Sequence, residues 1–135
     1  NIITVALETG LRRGEILNIK NEHIFERTLL VPIRKNGQTN SHIPLSKRAR
    51  DVLLKSKLPF QYKVEGFKSA WKRLCKKYEI KDLHFHDLRH EALSQYLERG
   101  LTIQEVQVIS GHKNINTLMS VYANLKSDII ALKMD

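Results

Sequence analysis

The sequence contains a single cysteine, Cys75, among its 135 residues. One cysteine excludes an internal disulfide and any zinc site built on several cysteines, and it fits a reducing compartment. The residues around Cys75 have the pattern of an amphipathic helix, which favours a packing role for the thiol over a nucleophilic one. The cytoplasm is therefore the expected location of the protein.

A long apolar stretch is also missing. No run of the sequence approaches the roughly 20 residues that a membrane-spanning helix needs, so we expect a soluble protein without a membrane partner. A chain of this length is expected to form one domain, residues 1–135, around one core. It begins at Asn1 without a basic leader or a cleavage site, so we interpret it as a fragment rather than as a secreted precursor.

Acidic residues are few. Fourteen Asp and Glu stand against 23 Lys and Arg, which gives a formal net charge of +9. Such a surplus attracts polyanions, of which nucleic acid is the plainest example. A basic surplus also serves solubility alone, so the charge by itself leaves both interpretations open.

The hydrophobic periodicity of the first third predicts two helices followed by a hairpin. Ile2 to Leu7 has helical apolar spacing that Gly10 interrupts, and a second helix is predicted from Gly14 to Ile19. Phe25 to Ile33 and His42 to Leu45 are predicted strands, and the Asn-Gly pair between them favours a tight turn. This part of the chain should supply a small antiparallel sheet.

Helices dominate the remainder. Ser46 is a predicted N-cap, Thr102 and Glu105 have the spacing of a capping box, and Gly100 and Gly111 are predicted helix ends. The predicted helices are Lys47 to Lys55, Val64 to Tyr78, His86 to Arg99, Thr102 to Gly111, Asn114 to Tyr122 and Ser127 to Met134. The expected fold class is therefore α+β, mostly α-helical, with a hairpin near residues 28–45 packed on helices.

Two clusters of the sequence place an arginine at a defined position of a helix. In Thr9-Gly10-Leu11-Arg12-Arg13-Gly14-Glu15 a glycine break delivers Arg12 to a helix start, and Glu15 follows near enough to orient it. In His86-Asp87-Leu88-Arg89-His90 a spacing of three puts His86 and Arg89 on one helix face. Each cluster taken alone is also explained by a solvated helix surface.

A third cluster lies near the carboxyl end. Gly111 precedes His112 at a helix break, and Tyr122 follows ten positions later near the end of the next predicted helix. A tyrosine at such a position is commonly part of an amphipathic core. The order of the three clusters along the chain is more informative than any one of them.

In that order, and with Lys35 in the hairpin turn, the clusters resemble the signature of the tyrosine recombinase, or phage integrase, family. The signature combines Thr-Gly-Leu-Arg-x-x-Glu, a hairpin lysine, His-x-Leu-Arg-His, Leu-Gly-His and a late tyrosine. The resemblance covers nearly the whole chain, with two departures: Ser110 stands where leucine is commonest, and Asn124 where a histidine often follows the tyrosine. It implies the family's catalytic domain, which is normally preceded by a helical DNA-clamping domain that would be absent here.

The site residues that follow are suited to phosphodiester chemistry. Arg12 and Arg89 are expected to clamp the nonbridging oxygens of a phosphate, because guanidinium groups are planar and permanently charged. Tyr122 is the expected nucleophile, which would form a phosphotyrosine. By resemblance, His86 assists with proton transfer and His112 donates a hydrogen bond to the phosphate.

Further roles come from the resemblance or from helical position. Lys35 resembles the general acid that protonates the leaving 5′ oxygen, with the adjacent Arg34 and the more distant Lys20 as alternatives. Glu15 is expected to hold the arginine and histidine geometry from behind the site. His90 is adjacent to Arg89 but faces differently on the helix, so it is expected to act as a structural hydrogen-bonding partner.

No metal or other cofactor is expected. The histidines His84, His86 and His90 lie close together in sequence, but no His-Glu-x-x-His pattern occurs, and the chemistry that the chain resembles uses no metal. The expected partner is double-stranded DNA, on which the chain would act as a homo-oligomer, a tetramer, and the sequence leaves open whether it is a monomer without DNA. An inactive DNA-binding module and a tyrosine-type topoisomerase are the alternatives.

Overall fold

The computed structural model describes residues 1–35, 37–112 and 114–135, and within its last helix it leaves undescribed the side chains of residues 117, 121, 122, 124–126, 128 and 129. In chain order the elements are α1 (Ile2–Thr9), α2 (Arg13–Leu17), a 3-10 turn (Asn21–His23), β1 (Thr28–Ile33), β2 (Thr39–Pro44), α3 (Lys47–Lys55), α4 (Val64–Lys77), α5 (Phe85–Glu98), α6 (Ile103–Ser110) and α7 (Asn116–Met134). The prediction of a mostly helical α+β fold with one hairpin is confirmed.

The two strands form an antiparallel hairpin in which Leu29 pairs with Ile43. Leu29, Val31 and Ile43 are buried, as expected for a sheet that covers a core with one face. β1 starts three residues later than predicted, because the N–H of Phe25 donates to the Thr28 carbonyl and closes a turn before the strand. Asn36 of the predicted Asn-Gly turn lies outside the described residues.

Helix ends follow the predicted signals. Gly10 and Gly111 adopt φ of +68° and +71°, where a side chain is disfavoured, and each caps the helix before it. The Ser46 hydroxyl accepts a hydrogen bond from the N–H of Ala49 at 3.1 Å. Thr102 opens α6 with the predicted capping box. The glycines at the ends of α1 and α6 therefore set where the loops that carry Arg12 and His112 begin.

The prediction of two separate helices at the carboxyl end is wrong. Residues 114–122 and 127–134 were expected as two stretches, whereas α7 runs without a break over Asn116–Met134. The connecting residues 123–126 are Ala-Asn-Leu-Lys, without glycine or proline. One asparagine costs a helix only a fraction of a kcal/mol, of the order of 0.7 at most, which is too little to end it.

Two hydrophobic clusters hold the elements together. The larger core joins α1, α2, the hairpin, α3, α4 and the start of α5, and its buried residues are Val5, Ala6, Leu11, Ile16, Leu17, Ile19, Leu29, Val31, Ile43, Leu45, Ala49, Leu53, Phe67 and Phe85. The smaller core joins the second half of α5 to α6 and α7 through Leu93, Leu97, Val106 and Leu118. α5 thus runs from one core into the other. In the described part of the chain, the helices are too short or too polar to cross a bilayer.

Candidate active site

Arg12 lies in the connection between α1 and α2. The N–H of Gly10 donates to the Ala6 carbonyl at 2.9 Å, and the left-handed turn then buries Leu11 and leaves Arg12 at the start of α2. The carboxylate of Glu15 accepts a hydrogen bond from the backbone N–H of Arg12 at 3.0 Å and lies 3.8 Å from its guanidinium. The predicted delivery of Arg12 to a helix start beside Glu15 is therefore confirmed.

Arg89 lies on α5 between the two cores, with 2% of its surface exposed. Its Nη1 donates to the carbonyl of Gly10 and its Nη2 to the carbonyl of Ser110, each at 2.6 Å. Burial and the positive charge of Arg12 lower the pKa of Arg89 to about 10. The guanidinium stays charged at neutral pH, and the two hydrogen bonds fix the plane of its fork.

The carbonyl oxygen of Ser110 is the point on which three arginines converge. Ser110 is the last residue of α6, so its carbonyl has no partner within the helix and carries part of the negative charge of the carboxyl end. It accepts hydrogen bonds from Arg89 Nη2 at 2.6 Å, from Arg34 Nη2 at 3.0 Å and from Arg12 Nη1 at 3.5 Å. One backbone oxygen thereby holds three mutually repelling guanidinium groups together.

Two adjacent cations of the hairpin point in different directions. Arg34 is 2% exposed, and its Nε and Nη2 donate to the two carboxylate oxygens of Glu15 at 2.8 and 3.4 Å. Lys35 is exposed and lines the cleft described below, whereas Lys20 lines a separate depression. Of the three cations considered from the sequence, the structure leaves Lys35 accessible at the site and makes Arg34 the ion-pair partner of Glu15.

His112 follows the glycine that ends α6. Its Nδ1 lies 2.8 Å from the hydroxyl of Ser110, and its carbonyl accepts a hydrogen bond from the side chain of Gln107 at 2.9 Å. Burial and the positive charge of Arg89 lower the pKa of His112 to about 4, so the ring is neutral at pH 7. When the hydroxyl donates to Nδ1, Nε2 carries the ring hydrogen and can donate to an anion.

His86 and His90 lie on one face of α5, and their rings meet edge to face with centroids 4.8 Å apart. Both side chains are exposed. Partial burial, with the charges of His90 and Arg89, lowers the pKa of His86 and favours the neutral ring that can accept a proton. His90 faces differently from its neighbour Arg89, as expected, because Arg89 is buried and His90 is exposed, while the spacing of four residues brings His90 to His86. Among the described residues no hydrogen bond to the His90 side chain is found.

Four of the six predicted catalytic residues line one cleft of about 380 Å³, namely Arg12, Lys35, His86 and Arg89. His112 lies close enough for the charges of Arg12 and Arg89 to influence it. Tyr122 belongs to α7, and its side chain lies outside the described part of the structure. The cleft therefore unites residues that are more than 70 positions apart in the chain.

Two contributors to the site were not recognised from the sequence. The sequence pattern offers Arg34 only as an alternative to Lys35, and Ser110 only as a departure from the family signature. Strand alternation from Leu29 and Val31 places Ile33 on the buried face, yet Ile33, the last residue of β1, is 75% exposed and the next residue, Arg34, is buried. The backbone carbonyl of Ser110 carries no signal at the level of side-chain pattern.

This arrangement suits an anion that has several oxygen atoms. Arg12 and Arg89 supply donors from fixed directions, and the imidazole of His86 can take up a proton while the ammonium of Lys35 can release one. The guanidinium groups are oriented before a ligand arrives, so little reorganisation is needed when negative charge develops. Such a cleft is able to stabilise a phosphate under nucleophilic attack.

The sequence profile of the phage integrase family matches residues 44–128. The matched segment includes His86, Arg89, His112 and Tyr122, and it starts after Arg12. The matched segment spans more than half of the chain, and it includes site residues on α5, α6 and α7. The chain belongs to the phage integrase family, the family of the tyrosine recombinases.

Curated relatives extend the match to the amino-terminal part. The shufflon-specific DNA recombinase of Escherichia coli is 42% identical over 142 residues, which cover 99% of this chain and 36% of that protein. The tyrosine recombinase XerA of Saccharolobus solfataricus is 32% identical over 136 residues, which cover 94% of this chain and 46% of that protein. The chain thus spans about a third to a half of the length of the curated relatives it matches.

A solved structure agrees with the fold. The catalytic domain of the bacteriophage HP1 integrase superimposes with a TM-score of 0.74 at 22% sequence identity, over 99% of this chain and 80% of that domain. At this level of identity the likeness establishes the fold. The arrangement of helices around one hairpin is therefore that of a tyrosine recombinase catalytic domain.

Proposed function

We propose that this chain carries the catalytic site of a site-specific DNA recombinase that cleaves and rejoins strands through a 3′-phosphotyrosine at Tyr122. The observation that carries the proposal is the convergence of the Arg12 and Arg89 guanidinium groups beside the cleft that Lys35 and His86 line. A phosphodiester under in-line attack gathers negative charge on its nonbridging oxygens. Two arginine forks held at one point neutralise that charge.

The proposed step balances without an external energy source. The Tyr122 oxygen attacks the phosphorus, its proton passes to the neutral His86 ring, and the bond to the 5′ oxygen breaks. Lys35 gives its proton to the departing 5′ oxygen, and His112 donates a hydrogen bond to a nonbridging oxygen. Rejoining reverses these transfers when a 5′ hydroxyl attacks the phosphotyrosine.

DNA is the proposed partner because the chain carries a net charge of +9 and displays cations around the cleft. Cationic surfaces bind phosphate backbones by releasing counterions, so affinity should fall as salt rises. The relatives named as a shufflon-specific DNA recombinase and a tyrosine recombinase support the same chemistry. We place the reaction in the cytoplasm, with residues 1–135 as one catalytic domain and with a homotetramer on two DNA sites as the active assembly.

The test traps the covalent intermediate. The protein at its full natural length is incubated with nicked suicide substrates that carry the end sequence of its own element, beside Tyr122→Phe and the control Tyr78→Phe. Tyr78 is 62% exposed after α4 and is outside the proposed machinery. We expect a denaturant-resistant protein–DNA adduct in the parent and in Tyr78→Phe, and none in Tyr122→Phe.

Two other outcomes would replace the proposal. Binding to a verified cognate site without any adduct would identify an inactive DNA-binding module. An adduct whose strand always rejoins its original partner, with relaxation of supercoiled DNA that lacks the site, would identify a topoisomerase. If the protein is a recombinase, we expect it to join strands from two different sites.

A further inference from the structure

The side chain of Arg34 is fully enclosed, with 0% of its surface exposed, although arginine is rarely buried without a specific partner. Its Nε donates to Glu15 at 2.8 Å, and its Nη2 donates to the Ser110 carbonyl at 3.0 Å. The fork thus joins α2 to the last residue of α6. Nη1 is buried without a hydrogen-bond partner among the described residues, so the fork is held by Nε and Nη2.

Arg34 is also a fixed point of the hairpin. Its backbone N–H donates to the Gln38 carbonyl and its own carbonyl accepts from the N–H of Gly37, each at 2.9 Å. Lys35 is the next residue, so its Cα lies about 3.8 Å from the Cα of Arg34. Immobilising Arg34 therefore fixes the origin of the exposed Lys35 side chain at the cleft.

The loop before His112 is shaped around the same guanidinium. A Cβ atom on Gly111 would lie 2.6 Å from Cζ of Arg34 and 2.8 Å from its Nε, closer than such atoms approach. The absence of a side chain at Gly111 is what admits the guanidinium. Arg34 and the loop that presents His112 are therefore fitted to each other.

We propose that Arg34 is a positioning residue that holds the hairpin carrying Lys35 against Glu15 and the Ser110 carbonyl. It thereby fixes the position of the proton donor relative to the two guanidinium groups, those of Arg12 and Arg89, that bind the phosphate. The inference rests on the proposed function. It assigns Arg34 no contact with DNA, since its side chain is enclosed by protein. Its effect on the reaction passes through the placement of Lys35.

This mechanism separates Arg34 from a residue that only stabilises the fold. A misplaced Lys35 slows protonation of the leaving 5′ oxygen, and that step becomes unnecessary when sulfur replaces the bridging 5′ oxygen, because thiols ionise near pH 8.5 and leave as thiolates. A variant damaged only in Lys35 placement should therefore recover on the sulfur-bridged substrate. A variant with a loosened arginine clamp should remain slow on both substrates.

The experiment compares Arg34→Lys and Arg34→Gln with the control Arg27→Lys, an exposed arginine at the other end of the same strand. Single-turnover cleavage is measured on suicide substrates that have oxygen or sulfur at the bridging 5′ position. The assay temperature is kept well below the melting temperature of each variant. Arg34→Lys loses the planar fork of the guanidinium but keeps a positive charge beside Glu15, and the kept charge favours a folded protein. Arg34→Gln is the second variant if the first does not fold.

For the Arg34 variant we expect cleavage of the oxygen substrate to slow by about tenfold or more, and cleavage of the sulfur substrate to stay within about threefold of the parent. Arg27→Lys should stay within about twofold of the parent on both substrates. An Arg34 variant that cleaves the oxygen substrate at the parent rate, or that is equally slow on both substrates, overturns the inference. A parent protein that forms no adduct on either substrate refutes the proposed function instead, so the two failures are distinguishable.

Discussion

The two hydrophobic cores contribute differently to the site. The larger core carries the connection that bears Arg12 and the hairpin that bears Lys35, whereas the smaller core carries the end of α6 and the start of α7. Between them Arg89 joins the Gly10 carbonyl on one side to the Ser110 carbonyl on the other. The halves of the site are thus linked by charged hydrogen bonds as well as by α5.

This difference shows where the site is vulnerable. A change within either core acts mainly on stability, through many apolar contacts that are individually weak. The hydrogen bonds of Arg34 and Arg89 to the Ser110 carbonyl, together with the adjoining His112, form a polar seam between the two cores. A buried polar group that loses its partner costs about 1 to 3 kcal/mol. Changes at the seam should therefore reduce activity more than changes of equal size within either core.

Arg89→Lys should produce the largest effect, because it breaks the seam at its centre. One ammonium cannot reach both the Gly10 and Ser110 carbonyls in fork geometry, and it cannot clamp a phosphate with two donors. We expect a loss of about 2 to 4 kcal/mol of transition-state stabilisation, or about 30- to 1000-fold in single-turnover cleavage. The exposed Arg99→Lys at the end of the same helix is the control. Cleavage by Arg89→Lys within threefold of the parent would contradict the role assigned to the fork.

Gly111→Ala should come next, and it can be compared with Gly100→Ala. Both glycines have positive φ, +71° and +99°, so an alanine strains the backbone by about 1 to 2 kcal/mol at each. A Cβ at Gly100 meets nothing within 4 Å, whereas at Gly111 it collides with the guanidinium of Arg34. We expect urea unfolding to show a larger loss for Gly111→Ala, with slower cleavage in that variant alone. Equal losses in both variants would mean that Arg34 can move aside freely.

The pH dependence of stability should also trace to the seam. His112 has a pKa of about 4 in the folded protein against about 6.5 when exposed, so between these values the unfolded chain binds more protons. The free energy of unfolding should therefore fall as the pH is lowered from about 6.5 to about 4, a direction that the lowered pKa of His86 shares. Urea titrations of His112→Asn should show a shallower fall than the parent. An unchanged slope in His112→Asn would show that His112 does not contribute to the pH dependence of stability.

The smallest effects are expected at two helix N-caps, one on a helix of the larger core and one on a helix of the smaller core. Thr102→Ala and Ser46→Ala each remove a side-chain acceptor at a helix start and should each cost about 1 kcal/mol of stability. Thr102 begins α6, the helix whose last carbonyl gathers the arginines, while Ser46 begins α3. Thermal melts should shift by similar amounts, yet only Thr102→Ala should also slow cleavage. A matching loss of cleavage in Ser46→Ala would remove the distinction between the cores.

The elements and half of the site could be predicted because their causes are local. The glycine that ends α1, the carboxylate three residues after Arg12 and the spacing of His86 and Arg89 act within a single turn of chain. Interactions between residues three or four positions apart can be recognised from the residue types and their spacing alone. The prediction therefore placed these residues on the correct elements.

The remainder depends on partners that lie far along the chain. Arg34 is buried because the Ser110 carbonyl, 76 residues away, and Glu15 receive its fork. A backbone carbonyl leaves no side-chain signature, so neither the convergence of the arginines nor the inward turn of Arg34 was visible in the pattern. The error in α7 has a local cause instead, since residues 123–126 contain no glycine or proline that would end the helix.

Mass spectrometry of the trapped complex shows whether Tyr122 becomes covalently joined to a 3′ phosphate. Trypsin releases the peptide Asn114 to Lys126, in which Tyr122 is the one tyrosine. After nuclease digestion of the adduct, that peptide should carry the mass of the residual 3′-phosphonucleotide on Tyr122. A nucleotide found on any other residue of a cleavage-competent complex would mean that Tyr122 is not the nucleophile.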